Sequence, residues 1–210
     1  LPEGVQVAFG VDFPLVHVKL RASGDTAGAR LKQAEQLARQ SLGDFVITTG
    51  SDSLAATVAR LLTESGQTLA LAESCTGGLI AKLLTDVPGA SAFLERGAVT
   101  YANSAKRDWL QVAEPLLEEH GAVSAECALA MARGIRRAAG TGLGLAVTGI
   151  AGPDGGTPAK PVGTVFIALA AESTERVKGY RFPGDRDSVR QLTACMGLDW
   201  LRRHLAATPR

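Results

Sequence analysis

The chain has 210 residues, an apolar fraction of 46% and a formal net charge of +1. This length suits one main domain with a small additional unit, and the nearly balanced charge argues against an extended nucleic-acid-binding surface. Three well-separated cysteines argue against a disulfide framework or a zinc cluster, and no apolar run approaches the roughly 20 residues of a membrane helix. We therefore expect a cytoplasmic protein without membrane attachment.

The first fifty residues differ in pattern from the rest of the chain. The stretches VQVAF and PLVHVKL precede an amphipathic segment from Ala27 to Leu42, which predicts two strands and a helix. A two-stranded unit of this size is too small for a core of its own, so it either packs on the main domain or is the remnant of a larger one. Because the chain starts at Leu1 rather than methionine, we expect a fragment or a processed product.

The main domain is predicted to begin near Gly50. There, SDS precedes a periodic apolar segment, LAATVARLL, which is typical of a helix start. The run LALA then predicts a buried strand, after which Thr76, Gly77 and Gly78 are expected to open a helix that extends to about Thr85.

Ser74 is therefore predicted to lie on a turn between a strand and a helix, which we call the elbow (residues 74–78). Free backbone N–H groups at a helix start favour an oxyanion or a phosphate. For the elbow alone a simpler interpretation is favoured, since Ser or Thr before a helix is most often only a cap and paired glycines often only permit close packing.

The remaining elements are predicted in chain order. They are a strand at GAVTY, short helices from Lys106 to Leu110 and from Pro115 to His120, a helix from Ser124 to Ala139, strands at LGLAVTG, TVFIALA and VKGYRF, and a final helix to about Leu205. Strands alternate with helices early and pair as a hairpin late. The predicted fold is therefore α/β, a mixed sheet flanked by helices, with a small αβ N-terminal appendage.

Three Gly-containing loops follow strands, at residues 74–78, 148–156 and 183–186. Such loops gather at the carboxyl ends of strands, where α/β proteins bind ligands. The long loop matches neither the P-loop nor the dinucleotide fingerprint. Arg186 is the best candidate for binding a phosphate, although an arginine there is more often solvated. The candidate ligand-binding residues are Glu73, Thr76, Gly77, Gly78, Thr148, Gly149, Gly152, Gly155 and Arg186.

Ser74, Tyr101 and Lys106 form the candidate catalytic set. A lysine can serve as a base when burial lowers its pKa, and Ser with Lys is a known hydrolytic pair. The alternative is that Lys106 is an ordinary surface residue. Cys75 is the rival nucleophile, because thiols are intrinsically more reactive than hydroxyls.

Five segments, AESCTGG, VTYANSAK, HGAVSAE, VTGIAGPDGGTPAKPVGTVFIA and GDR, occur in this order. They resemble the C-terminal domain of the CinA family, from about Asp52 to Leu205. Residues 1–50 resemble the tail of the KH-like middle domain of full-length CinA proteins, so the implied division is a partial KH-like appendage (1–50) and an amidase domain (51–210).

The resembled family includes the nicotinamide mononucleotide amidases, which convert that nucleotide to nicotinate mononucleotide and ammonia. The resemblance implies a nucleophilic Ser74, acting with Tyr101 and Lys106, a pyridine mononucleotide substrate, no cofactor or metal, and a homodimer. The competing class is a non-catalytic nucleotide-binding or adaptor module linked to competence and DNA damage.

Overall fold

The computed structural model describes residues 1–207. The chain divides into two compact units, residues 1–51 and a second unit that begins at Asp52. None of the described helices combines the length and apolar character that a membrane span requires.

The first unit contains a hairpin and one helix. Strands β1 (Gln6–Asp12) and β2 (Leu15–Arg21) pair antiparallel, and α1 (Ala27–Leu42) follows, as the alternating pattern predicts. Phe9 pairs with Val18 and Val11 with Val16, so these apolar side chains share one face of the hairpin. All four are exposed.

The second unit contains the remaining elements. They are α2 (Leu54–Ser65), β3 (Leu69–Glu73), α3 (Leu79–Thr85), β4 (Leu94–Val99), α4 (Asn103–Leu110), α5 (Glu114–His120), α6 (Ala125–Ala139), β5 (Leu143–Gly149), β6 (Thr164–Ala170), β7 (Glu175–Arg181) and α7 (Arg186–Ala207). The five strands form one sheet in the order β4-β3-β5-β6-β7. Strand β3 runs parallel to both neighbours, whereas β5, β6 and β7 pair antiparallel, which confirms the predicted mixed sheet.

Helices cover both faces of this sheet. Helix α6, with α4 and α5 beside it, packs on a face of small residues that includes Ala70, Ala72 and Ala146. Side chains alternate along each strand, so Leu145 faces the opposite layer, where Gly197 of α7 approaches it. Because β3 lies between two strands and two helix layers, all five of its residues are buried.

Several element bounds differ from the prediction by a few residues, among them the starts of β4 (Leu94) and α4 (Asn103), and two further differences lie next to the site. Strand β4 was expected at GAVTY, but it ends at Val99 because its partner β3 ends at Glu73, directly opposite. Tyr101 therefore lies beyond the strand. Helix α3 begins at Leu79 rather than Thr76, since Gly77 and Gly78 have φ angles of 60° and 93°, which are not helical.

Candidate functional site

Ser74 lies at the carboxyl end of β3, on the elbow that follows this strand. Its N–H donates to the carbonyl of Val147 on β5, at 3.0 Å, and the N–H of Gly77 closes the turn by donating to the Ser74 carbonyl at 3.1 Å. The positive φ angles of Gly77 and Gly78 permit this reversal, because side chains disfavour that conformation. The geometry leaves the Ser74 hydroxyl at the wall of a cavity.

Glu73 has a different role from the one predicted. Its carboxylate accepts from the N–H groups of Gly78 and Ile80, at 3.0 and 3.1 Å, and from that of Ala81 at 2.8 Å. The residue is only 1% exposed. Glu73 is thus a buried cap rather than a ligand contact, and it occupies the N-terminus of α3 that was expected to face an anion.

Lys106 is brought to Ser74 by α4. Its Nζ lies 3.3 Å from Ser74 Oγ and donates to the carbonyls of Thr100 and Tyr101, at 2.8 and 3.2 Å. The lysine is 1% exposed, because it shares the inward face of α4 with Leu110, one turn later. The surface alternative for Lys106 is therefore wrong.

The surroundings of Lys106 disfavour its charged form. Burial lowers the pKa of the amine, since the low-dielectric interior penalises the ammonium ion. Two neighbouring thiols do not balance this penalty, because burial raises the pKa of Cys127 to about 11 and that of Cys75 to about 12. Within residues 1–207, Lys106 has no carboxylate partner.

Tyr101 contacts both Lys106 and Arg186, through different atoms. The backbone carbonyl of Tyr101 holds Lys106, while its hydroxyl accepts from Arg186 Nη2 at 2.9 Å. The tyrosine side chain is 59% exposed. Tyr101 and Lys106 therefore lie together as predicted, but the amine contacts the main chain rather than the phenol.

A cavity of about 190 Å³ brings together five of the predicted residues, Ser74, Tyr101, Thr148, Gly149 and Arg186. Its lining consists of Ser74, Cys75, Tyr101, Ala122, Val123, Thr148, Gly149, Ala151 and Arg186. Arg186 is the cation in this lining, and no carboxylate is part of it among the described residues. The lining is apolar at Ala122, Val123 and Ala151 and carries the guanidinium group of Arg186, so the cavity suits a ligand with an apolar part and an anionic part.

The other predicted ligand residues do not line the cavity. Thr76 is fully buried. Gly77 and Gly78 shape the elbow, as described above. Gly152, with a φ of 86°, uses its carbonyl to accept from Arg186 Nη1 at 2.7 Å, and Gly155, with a φ of 87°, is exposed. These glycines therefore serve the backbone conformation, whereas Gly149 and Thr148 lie at the cavity itself.

The sequence did not reveal two further features of the site. Ala122 and Val123 form part of the cavity wall, and neither has a polar side chain that could mark it in the sequence as part of a binding site. Thr148 Oγ1 donates to the Ala122 carbonyl at 2.7 Å, and Lys160 Nζ donates to the His120 carbonyl at 2.8 Å, which together hold this wall. Arg190 contacts the elbow, and its only sequence signal is the spacing of one helical turn from Arg186.

Sequence comparison identifies relatives of this chain. The family profile described as the CinA C-terminal domain matches residues 51–205. A CinA-like protein of Syntrophotalea carbinolica is 66% identical over 205 residues, which cover 98% of this chain and 50% of the relative. A second, from Geobacter metallireducens, is 56% identical over 96% of this chain and 50% of its own length. The chain thus spans about half the length of the curated relatives it matches.

Solved structures give the same result. The competence damage-inducible protein A of Klebsiella pneumoniae superposes with a TM-score of 0.72 at 39% identity, over 74% of this chain and 97% of that one. The competence/damage inducible protein CihA of Agrobacterium tumefaciens gives a TM-score of 0.69 at 39% identity, over 76% and 99%. The profile match and the identities above show that this chain belongs to the CinA family.

Proposed function

We propose that this protein is a nicotinamide mononucleotide amidase with a Ser74–Lys106 catalytic pair. The observation that carries the proposal is the 3.3 Å approach of Lys106 Nζ to Ser74 Oγ at a buried site beside a cavity. A neutral amine has two N–H bonds and one lone pair. The carbonyls of Thr100 and Tyr101 accept the two N–H bonds, so the lone pair is free to accept the Ser74 proton.

Hydrolysis proceeds in two balanced steps. The Ser74 oxygen bonds to the carboxamide carbon while its proton passes to Lys106. The C–N bond then breaks, and ammonia leaves with that proton. Water next attacks the acyl-enzyme, Lys106 takes one of its protons, and the proton returns to Ser74 as nicotinate mononucleotide is released.

The oxyanion of this reaction has donors that Glu73 does not occupy. Glu73 takes the N–H groups of Gly78, Ile80 and Ala81, whereas those of Cys75 and Thr76, next to Ser74 on the elbow, approach the Cys75 thiol. Backbone N–H groups at such a turn are typical donors to a developing oxyanion.

Ser74 is preferred to Cys75 as the nucleophile. Burial raises the pKa of the Cys75 thiol to about 12, so its thiolate, the reactive form, is scarce at neutral pH. A hydroxyl next to a neutral amine needs no such ionisation before the reaction begins. Cys75 is then a small residue that packs beside the cavity.

The lining supports a pyridine mononucleotide as the substrate. Ala122, Val123 and Ala151 form a surface suited to the flat ring, and Arg186 at the rim can pair with the phosphate. Arg186 already donates to Gly152 and Tyr101, which fixes the direction of its guanidinium group.

The test is ammonia release from nicotinamide, its riboside, its mononucleotide and the dinucleotide. We expect the mononucleotide to be the best substrate. Ser74→Ala and Lys106→Met should each lower kcat by several powers of ten. Cys75→Ala should retain activity.

Ser104→Ala and Lys82→Met are matched controls, because Ser104 is an exposed serine on α4 and Lys82 an exposed lysine on α3. Both should keep the wild-type rate. Full turnover by Ser74→Ala, or loss of turnover in Cys75→Ala alone, would contradict the proposal.

A further inference from the structure

Helix α7 directs two arginines of successive turns to the site. Arg186 faces the cavity, whereas Arg190 reaches the elbow. Nε and Nη2 of Arg190 both donate to the carbonyl of Thr76, at 3.1 and 2.9 Å. The α7 helix is thereby tied to the turn that presents Ser74.

No ion pair explains the position of Arg190 within the described residues. It is partly buried, and it makes no ion pair with any residue of the described range 1–207. Removing a guanidinium group from water is costly unless its donors are used. Here its Nε and Nη2 donors serve the same carbonyl of the elbow.

The side chains of the elbow contribute little to holding that carbonyl in place, and the N–H of Gly77, on the same peptide, holds it through one hydrogen bond of 3.1 Å to the Ser74 carbonyl. The hydroxyl of Thr76 is buried without a hydrogen-bond partner, and Gly77 and Gly78 have no side chains with which to restrain the turn. The N–H of Leu79 adds one longer hydrogen bond to the Thr76 carbonyl, at 3.3 Å. Rotation of the Thr76–Gly77 peptide plane would break the hydrogen bond from the Gly77 N–H to the Ser74 carbonyl and shift the turn that presents Ser74.

We propose that Arg190 is a positioning residue for the elbow. By fixing the Thr76 carbonyl, it holds the turn that the Gly77 N–H closes onto the Ser74 carbonyl and so keeps Ser74 Oγ within reach of Lys106. This inference rests on the proposed amidase. A displacement of about 1 Å at a reacting group can cost about 100-fold in rate, so a contact outside the cavity can control the reaction.

The experiment compares Arg190→Ala and Arg190→Lys with wild type. Arg190→Ala should lower kcat about 100-fold while KM changes less than about threefold, because positioning affects the reaction rather than binding. Arg190→Lys retains a cationic donor, so its kcat should lie between those of wild type and Arg190→Ala. Millimolar guanidinium ion should partly restore Arg190→Ala, whereas Arg60→Ala, an exposed arginine on α2, should match wild type.

A second measurement separates this inference from the amidase itself. The rate at which a fluorophosphonate labels Ser74 reports the reactivity of the hydroxyl without any amide substrate. We expect slower labelling in Arg190→Ala and recovery with guanidinium ion. If wild type releases no ammonia from the mononucleotide, the amidase is wrong, and labelling still tests Arg190.

Two results would overturn the role of Arg190. One is Ser74 labelling in Arg190→Ala at the wild-type rate. The other is a kcat loss that disappears when activity is normalised to folded protein, which would make the contact merely structural. If Arg190→Ala does not fold, Arg190→Lys provides the same comparison with its intermediate rate.

Discussion

Two ionisable side chains, Lys106 and Glu73, are almost entirely buried next to the same serine. Each is held by backbone groups rather than by an opposite charge. The consequences differ, because the carboxylate is an acceptor of several N–H bonds, whereas the amine can shed its proton and still donate to two carbonyls. Glu73 therefore stabilises the elbow, and Lys106 is suited to moving a proton.

The pH dependence of stability should reveal the buried amine. The unfolded chain holds the Lys106 proton up to the ordinary lysine pKa of about 10.4, whereas the lowered pKa of the folded state releases it earlier. Between these two pKa values the unfolded state binds more protons, so Lys106 makes the free energy of unfolding rise with pH. Below the folded-state pKa, the full cost of burying the charge remains.

Urea unfolding of wild type and Lys106→Met, followed by tryptophan fluorescence, measures this effect. Both tryptophans, Trp109 and Trp200, lie in the second unit. From about pH 7 to about pH 9.5, the stability of wild type relative to Lys106→Met should increase. The cysteines are present in both proteins, so their contributions to the pH dependence of the free energy of unfolding cancel in this comparison. Lys82→Met is the control, and an equal difference at both pH values would refute a lowered pKa.

Helix α4 carries Lys106. The position of α4 depends on how closely this helix approaches α6. A methyl group on Gly134 of α6 would lie 2.1 Å from the Leu110 carbonyl oxygen and 2.9 Å from Leu110 Cβ. Glycine is therefore required by the packing of the two helices, and not by its φ angle. The same contact fixes the end of the helix that carries Lys106.

Gly134→Ala should consequently displace α4. We expect a loss of about 1–3 kcal/mol in the free energy of unfolding, the usual range for overpacking, together with a lower kcat. The matched control is Gly197→Ala on α7, where the nearest atoms lie 3.4 Å away and alanine favours the helix. Denaturant unfolding and steady-state kinetics of both variants check this. Equal stability of the two variants would show that α4 and α6 can separate without cost.

The second unit holds every residue of the candidate site. Ser74, Lys106 and Arg186 all follow Asp52, where this unit begins. The solved Klebsiella pneumoniae chain is covered over 97% of its length by 74% of this chain. That chain therefore folds without a counterpart of the remaining quarter of this one. The site should therefore form without the first unit.

A chain comprising residues 52–210 should keep kcat/KM for the mononucleotide within about threefold of the whole chain, since no site residue is removed. Its tryptophan-monitored urea midpoint should also be unchanged. Kinetics and unfolding of the two chains, measured side by side, provide the check. A large fall in kcat/KM with an intact fold would mean that the first unit takes part in catalysis.

The sequence by itself determined the order of the elements, the α/β class and the elbow at Ser74. These depend on periodicity and glycine placement within short segments, which local sequence encodes. It also named Ser74, Tyr101 and Lys106, through motifs that resemble a known family. It could not place β4 correctly, because the end of that strand is set by its partner β3.

Only the tertiary structure decided what each polar group does. Glu73 became a cap because α3 begins beyond two glycines, and Arg190 met Thr76 across a separation of 114 positions. Ser74 and Lys106 are 32 positions apart and meet because β3 and β4 are parallel neighbours whose carboxyl ends share one edge of the sheet. Strand order brings such distant groups together, and no local pattern encodes strand order.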